Sequence, residues 1–154
     1  MRKVIIATLV GAAMGAAAVA QDAAHAPGIF KPNVQIETEL EQSTPPLGIV
    51  AGQTSQIIAH EGGQIVVRRR QAGPNNASVH EDLTEIYYIV SGTGTFVTGG
   101  RVTDPENRTL GITGGAAQRV EPGDFVVLPP GTPHWFGEID GAITYVETRF
   151  NTER

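Results

Sequence analysis

Turn-forming residues divide this chain into short segments and thereby limit what it can fold into. Among 154 residues there are 19 glycines and 10 prolines. Turn signals such as Gly-Pro-Asn-Asn at 73–76 and Pro-Pro-Gly at 129–131 separate short runs rich in Val, Ile, Thr and Tyr. No segment shows sustained helical periodicity, and the sequence has no evident internal repeat. Short strands with such regular interruptions predict an all-β fold, either a sandwich or a small barrel.

Apolar and β-branched residues mark the predicted strands. In chain order these are residues 34–40, 56–59, 64–70, 85–90, 95–98, 119–121, 125–128, 135–136 and 142–149. The first strand is predicted from a period of two, because positions 34, 36, 38 and 40 alternate with polar neighbours. Residues 99–118 are polar and Gly-rich, which predicts a long loop or a hairpin tip.

Composition excludes several classes of protein. The chain has no cysteine, so disulfide scaffolds and thiolate metal sites are excluded. Its formal net charge is −5, with lysine at positions 3 and 31 only, which argues against a nucleic-acid partner because phosphate binding needs a basic surface. A hydrophobic content of 40% is enough for a packed core, so wholesale disorder is not expected.

The N-terminus has the pattern of an export signal. Arg2 and Lys3 precede an apolar run over 4–19, and Ala-Val-Ala at 18–20 predicts cleavage before Gln21. An uncleaved membrane anchor is the alternative, but the run is barely long enough to span a bilayer and half of it is Ala and Gly. We therefore predict a periplasmic or extracellular protein with no stable membrane association after cleavage. The predicted division is a signal peptide at 1–20, a flexible segment with one strand at 21–47, and a barrel domain at 48–154.

Three residues have the side chains that a divalent metal ion prefers. His80 and Glu85 flank a short turn-like stretch, and His134 follows the stiff Pro-Pro-Gly turn. Two imidazoles and one carboxylate suit Fe(II), Mn, Ni or Zn, and the same set with open positions serves non-haem iron oxygen chemistry. Spacing alone leaves the alternative that both histidines are ordinary surface residues.

The sequence around these residues resembles the cupin superfamily. The stretch Ser-Val-His-Glu-Asp-Leu-Thr-Glu at 78–85, followed six residues later by Gly92, resembles the first cupin motif. Gly123, five residues, Pro-Pro-Gly, two residues and His134 resemble the second motif. The likeness extends over residues 64–149 and implies an antiparallel jelly-roll β-barrel of two sheets with a metal ion near its mouth. It also implies a homodimer, in which the predicted 34–40 strand could add to a partner's sheet edge.

Two positions depart from the family pattern. Ser78 stands where the first motif usually has a histidine, so a site with four protein ligands becomes one with three. Glu138 stands where the second motif often has Asn, and strand alternation places it on the same face as His134 and Phe136. There it would serve as a fourth ligand, a general base or a partner that orients His134. The alternative is a surface carboxylate, because a bulge would break the alternation.

Other residues are candidates for a substrate pocket. Tyr87 shares the parity of Glu85 and is expected to face the interior, as a hydrogen-bond donor to substrate or as a core aromatic. Arg68 and Arg70 share one strand face, so at least one could meet an anionic substrate. The alternative for these arginines is a solvated strand edge that discourages aggregation.

These observations predict an exported, metal-dependent cupin enzyme acting on a small organic substrate. One divalent ion is expected at His80, Glu85 and His134, with Fe(II) favoured and oxygenase chemistry of the dioxygenase type. With Mn, Ni or Zn, lyase, isomerase or decarboxylase activity is expected instead, with Glu138 or Tyr87 as the acid–base group. The further alternatives are a non-catalytic barrel that binds a small molecule and a structural envelope protein.

Overall fold

The computed structural model describes residues 27–43 and 52–151. The predicted signal peptide and its cleavage site lie outside the described residues. In chain order the elements are α1 (Asn33–Gln42), β1 (Gln53–His60), β2 (Gly63–Gln71), β3 (Leu83–Ser91), β4 (Gly94–Thr98), β5 (Arg101–Val102), a 3-10 turn (Arg108–Leu110), β6 (Ile112–Thr113), β7 (Ala116–Val120), β8 (Phe125–Leu128), β9 (His134–Ile139) and β10 (Ala142–Asn151). Within this part of the chain, no helix is long and apolar enough to cross a bilayer.

Two antiparallel sheets form the body of the domain. The larger sheet has the order β1-β2-β10-β3-β8, and the smaller has the order β7-β4-β9. Their facing side chains form one buried apolar cluster: Tyr87, Ile89, Phe96, Val120, Leu128, Phe136, Ile139, Ile143 and Tyr145. This arrangement confirms the predicted all-β, antiparallel jelly-roll architecture. The predicted loop at 99–118 contains the β5–β6 hairpin and the start of β7.

Glycine is required at the end of β3. Gly92 has φ 79°, a left-handed conformation that side chains rarely adopt. A Cβ at this position would overlap the Ala142 carbonyl, so the chain can pass β10 closely only without a side chain. The glycine of the first motif therefore has a structural reason: it lets β3 turn into β4 against the start of β10.

The predicted strand at 34–40 is wrong, because these residues form helix α1. Leu40 is fully buried and Ile36 is partly buried, whereas Val34 is 73% exposed. Residues 36 and 40 are one helical turn apart, so the helix buries one stripe and leaves the other apolar residue in solvent. The period-two pattern was coincidental, and the Glu- and Gln-rich composition of the segment favours a helix. As a helix, this segment is not a strand that could add to a partner's sheet edge.

Polar contacts hold α1 against the outer face of the larger sheet. Lys31 donates to Glu39 and to the Gln56 carbonyl, and Ser55 Oγ donates to Glu39 Oε2 at 2.8 Å. The hydrogen bond from Lys31, followed by that from Ser55, lowers the pKa of Glu39 to about 2. Arg69 Nη2 donates to Glu37 Oε2 at 2.9 Å. These bonds tie the helix to β1 and β2.

Leu40→Ala is expected to destabilise the domain by about 2–5 kcal/mol, because it removes a completely buried side chain and leaves a cavity under α1. Urea unfolding followed by circular dichroism measures the change. Val34→Ala is the matched control on the same helix, and its exposed side chain should leave stability within about 0.5 kcal/mol. Equal effects of the two substitutions would contradict the packing of Leu40.

Candidate metal centre

Backbone hydrogen bonds bring the two sequence motifs together. Ser78 and His134 form an antiparallel bridge in which each amide nitrogen lies 2.9 Å from the other residue's carbonyl oxygen. The Gly131 amide donates to the His80 carbonyl at 2.9 Å, so the Pro-Pro-Gly turn is fixed against the loop that precedes β3. Glu85 follows on β3 and pairs with Leu128 of β8. Residues 43 to 56 positions apart thus meet at one end of the barrel.

The three predicted metal ligands converge. One ligand atom from each of His80, Glu85 and His134 lies within 4.8 Å of the others. His80 Nδ1 contacts Glu85 Oε1, and His134 Nε2 is 3.7 Å from Glu85 Oε2. Glu85 is 1% exposed and His134 is 4% exposed, whereas His80 is only partly buried. The site is therefore reached from the side of His80.

The protonation of His134 suits a metal ligand. Its Nδ1 is 3.0 Å from the Thr132 carbonyl oxygen, which can only accept, so Nδ1 carries the proton. The Nε2 lone pair then faces Glu85, and this buried atom has no hydrogen-bond partner among the described residues. Burial lowers the pKa of His134, which keeps the imidazole neutral. An orphaned, buried and unprotonated nitrogen beside a carboxylate is a position that a divalent cation fits.

Glu85 is held as a carboxylate. Burial acts to raise its pKa, but the hydrogen bond from His80 and the positive charge of Arg149 outweigh burial and lower the pKa to about 2. Arg149 Nε lies 3.3 Å from Glu85 Oε2. The donor set of two imidazoles and one ionised carboxylate is chemically suited to Fe(II), Mn, Ni or Zn.

Tyr87 lies next to this donor set. Its hydroxyl donates to Glu85 Oε2 at 3.1 Å, and its ring is 3% exposed and packs against Tyr145 and His134. Burial raises the pKa of Tyr87 well above its usual range, so the phenol stays protonated. Tyr87 is therefore both a core aromatic and a proton-bearing group at the site.

The expectation that Glu138 shares a face with His134 and Phe136 is wrong. In the β4–β9 ladder, Thr95 pairs with Glu138 but Phe96 pairs with Phe136, so β9 contains a bulge. The bulge turns Ile139 into the core and leaves Glu138 exposed. Its carboxylate lines a surface groove of about 550 Å³, away from the face that carries His134. It is therefore not placed as a fourth ligand.

A buried ion network that the sequence did not reveal surrounds Glu147. This residue is 0% exposed and pairs with Arg68 Nε at 2.8 Å and with Arg149 Nε at 3.0 Å. Residues 145, 147 and 149 share the face of β10 that points into the barrel. They pair with residues 68, 66 and 64 of β2, respectively. The alternation could have been found in the sequence, but the pairing of β10 with β2 could not. Glu147 and Arg149 are the functional candidates that sequence reasoning missed.

A narrow cavity of about 20 Å³ opens beside His134. Its polar lining comes from Arg70, Asn75, Asn76, Ser78, His134 and Arg149. Ser78 thus lies in the cavity, at the position where the first motif usually has a histidine. A larger cleft of about 280 Å³ lies along the β1–β2 turn and is also lined by Arg149.

Comparisons with known proteins agree with this architecture. Residues 50–151 match the family model described as Cupin. KdgF from Halomonas sp. is 16% identical with a TM-score of 0.50, covering 66% of this chain and 80% of that one. A conserved protein of Klebsiella pneumoniae with a double-stranded beta-helix domain is 14% identical with a TM-score of 0.55, covering 82% and 91%.

A third similar structure is the DMSP lyase DddQ from Ruegeria pomeroyi. It is 19% identical with a TM-score of 0.51, covering 74% of this chain and 54% of that one. At such identities the likeness shows the fold alone. No curated protein matches the sequence. The family model, in contrast, covers well over half of the chain, and its range includes the His80–Glu85–His134 site. The chain therefore belongs to the cupin family.

Proposed function

We propose that this chain is a metal-dependent cupin enzyme that acts on a small organic molecule. The observation that carries the proposal is the convergence of His80, Glu85 and His134 around the unpartnered Nε2 of His134. Three protein ligands leave coordination positions open for a substrate, which distinguishes a catalytic centre from a closed structural site. Export is part of the proposal and is supported by the sequence of residues 1–20.

Oxygenase activity with Fe(II) is the first candidate. Two histidines and one carboxylate with open positions are the ligand set of non-haem iron oxygenases. A bound ion would supply Lewis acidity and, if it is iron, access to dioxygen chemistry. The chain's own residues supply the rest. The Thr132 carbonyl orients His134, Arg149 holds Glu85, and the buried aromatic rings exclude water from the inner side of the site.

Lyase or isomerase activity is the second candidate, and Tyr87 favours it. The Tyr87 hydroxyl lies 3.1 Å from Glu85 and keeps its proton because burial raises its pKa. Such a phenol can donate a hydrogen bond to a substrate oxygen without any redox step. The same hydroxyl is a poor general base, since its deprotonated form would be a buried anion beside two carboxylates.

Elemental analysis of protein purified without chelator or added metal tests the proposal. We expect about one divalent ion per chain, as three convergent ligands imply. Oxygen uptake by the iron-loaded protein during a small-molecule screen would select the oxygenase, and turnover that persists without oxygen would select the lyase or isomerase. A protein that contains no ion and binds none of Fe(II), Mn(II), Ni(II) or Zn(II) in calorimetry would overturn the proposal and leave a non-catalytic binding barrel.

A further inference from the structure

Among residues 27–43 and 52–151, one cation of the barrel interior has no carboxylate partner. Arg68 pairs with Glu147, and Arg149 pairs with both Glu147 and Glu85. Arg70, on the same face of β2 as Arg68, has no carboxylate partner within residues 27–43 and 52–151. Three guanidinium groups therefore face two carboxylates, which leaves one positive charge uncompensated inside the barrel.

Neutral groups hold Arg70 in place without cancelling its charge. Its Nε donates to the Tyr145 hydroxyl at 2.8 Å, and its Nη1 donates to Asn75 Oδ1 at 3.4 Å. Tyr145 is completely buried and stacks on Tyr87, so the guanidinium is fixed to the aromatic core. A positioned, partly buried cation with neutral partners loses hydration without gaining a counter-ion. Such an arrangement is expected where an anion binds.

The same cavity joins Arg70 to His134 of the candidate metal centre. Arg70 and His134 both line it, together with the amide of Asn76 and the hydroxyl of Ser78. Its volume of about 20 Å³ exceeds the roughly 10–15 Å³ that one water needs. It is therefore sized for a small polar group rather than for a whole bulky ligand. A divalent ion at His80, Glu85 and His134 would add positive charge to the cavity and strengthen its preference for an anion.

We propose that Arg70 binds the carboxylate group of the substrate, and that the enzyme acts on small carboxylic acids. The planar guanidinium fork matches the two oxygens of a carboxylate. It also matches phosphate, but a cavity of about 20 Å³ favours the smaller of the two groups. This inference rests on the proposed function, because the bound carboxylate belongs to a substrate only if the chain is an enzyme. Anion binding by Arg70 is nevertheless measurable without turnover.

Calorimetric titration of the purified protein with propionate and with its neutral isostere propionamide tests this assignment. We expect propionate to bind at least tenfold more tightly than propionamide, and Arg70→Gln to abolish that preference while keeping its metal content. Arg69→Gln is the matched control, because Arg69 is the next residue, points to the outer face and pairs with Glu37. This control should bind propionate like the wild type.

A second variant keeps the test decisive if Arg70→Gln does not fold. Asn75→Asp places a carboxylate beside Arg70 Nη1 and should neutralise it, so propionate binding should fall at least tenfold in a folded protein. Unchanged propionate binding in both folded variants, or equal affinity for propionamide, would overturn the proposal. Tighter binding of inorganic phosphate than of propionate would also overturn it, in favour of phosphate esters.

The same titrations separate this inference from the proposed function. If propionate binding depends on Arg70 in a protein that takes up no metal, the assignment of Arg70 as an anion site is supported and the proposed metal-dependent enzyme function is refuted. If the protein holds a stoichiometric ion but does not prefer propionate to propionamide, the metal centre is supported and the assignment of Arg70 as an anion site is refuted.

Discussion

Replacing His134 by alanine is expected to lower the affinity for divalent metal by more than about 100-fold. Changes in residues that merely support a ligand cost roughly 10–100-fold in affinity, so the loss of a ligand itself should cost more. His134 is the most constrained of the three, since its ring is buried and its Nδ1 is fixed by the Thr132 carbonyl. Calorimetry with Zn(II) and metal content after dialysis measure the effect.

His60→Ala is the control for this experiment. His60 is an exposed histidine on the β1–β2 turn, and its Nδ1 accepts a hydrogen bond from the Gly62 amide rather than facing the site. This variant should keep the wild-type metal content. A His134→Ala protein that is folded by circular dichroism and still binds one ion with wild-type affinity would refute the assignment of the centre.

The two motifs, read together with their resemblance to the cupin motifs, were enough to predict which ligands meet. Each motif fixes its own ligand through a short stretch: the turn before β3 separates His80 from Glu85, and the Pro-Pro-Gly turn directs His134. Short segments bounded by Gly and Pro likewise predicted most strands of the two sheets. These features depend on backbone preferences within a few residues, and such preferences are present in the sequence itself.

Features that depend on neighbouring strands were not predictable in this way. The β9 bulge, which moves Glu138 outward, arises from the register between β4 and β9. The pairing of Glu147 with Arg68 requires β10 to lie beside β2, although 79 positions separate the two residues. The alternation at 34–40 predicted a strand, whereas the segment is a helix whose buried side is set by the packing of Leu40 against β1 and β2. In each case the deciding interaction is long-range.

The ion network around Glu147 should dominate the stability of the barrel interior. Glu147→Gln is expected to destabilise the fold by about 3–5 kcal/mol, because it leaves Arg68 without its carboxylate and Arg149 with Glu85 alone. Breaking one side of a buried ion pair costs this much since the remaining charge stays desolvated. Urea unfolding at neutral pH measures the loss, and exposed Glu138→Gln should change stability by no more than about 0.5 kcal/mol.

A double replacement identifies the cause of that loss. Arg68→Met combined with Glu147→Leu removes both charges of the closest pair, whose nitrogen and oxygen are 2.8 Å apart, and it should be more stable than Glu147→Gln alone. The reason is that apolar side chains of similar size need no counter-charge, and Arg149 keeps its contact with Glu85. If the double variant were less stable than the single one, the loss would come from packing at these positions rather than from an unpaired charge.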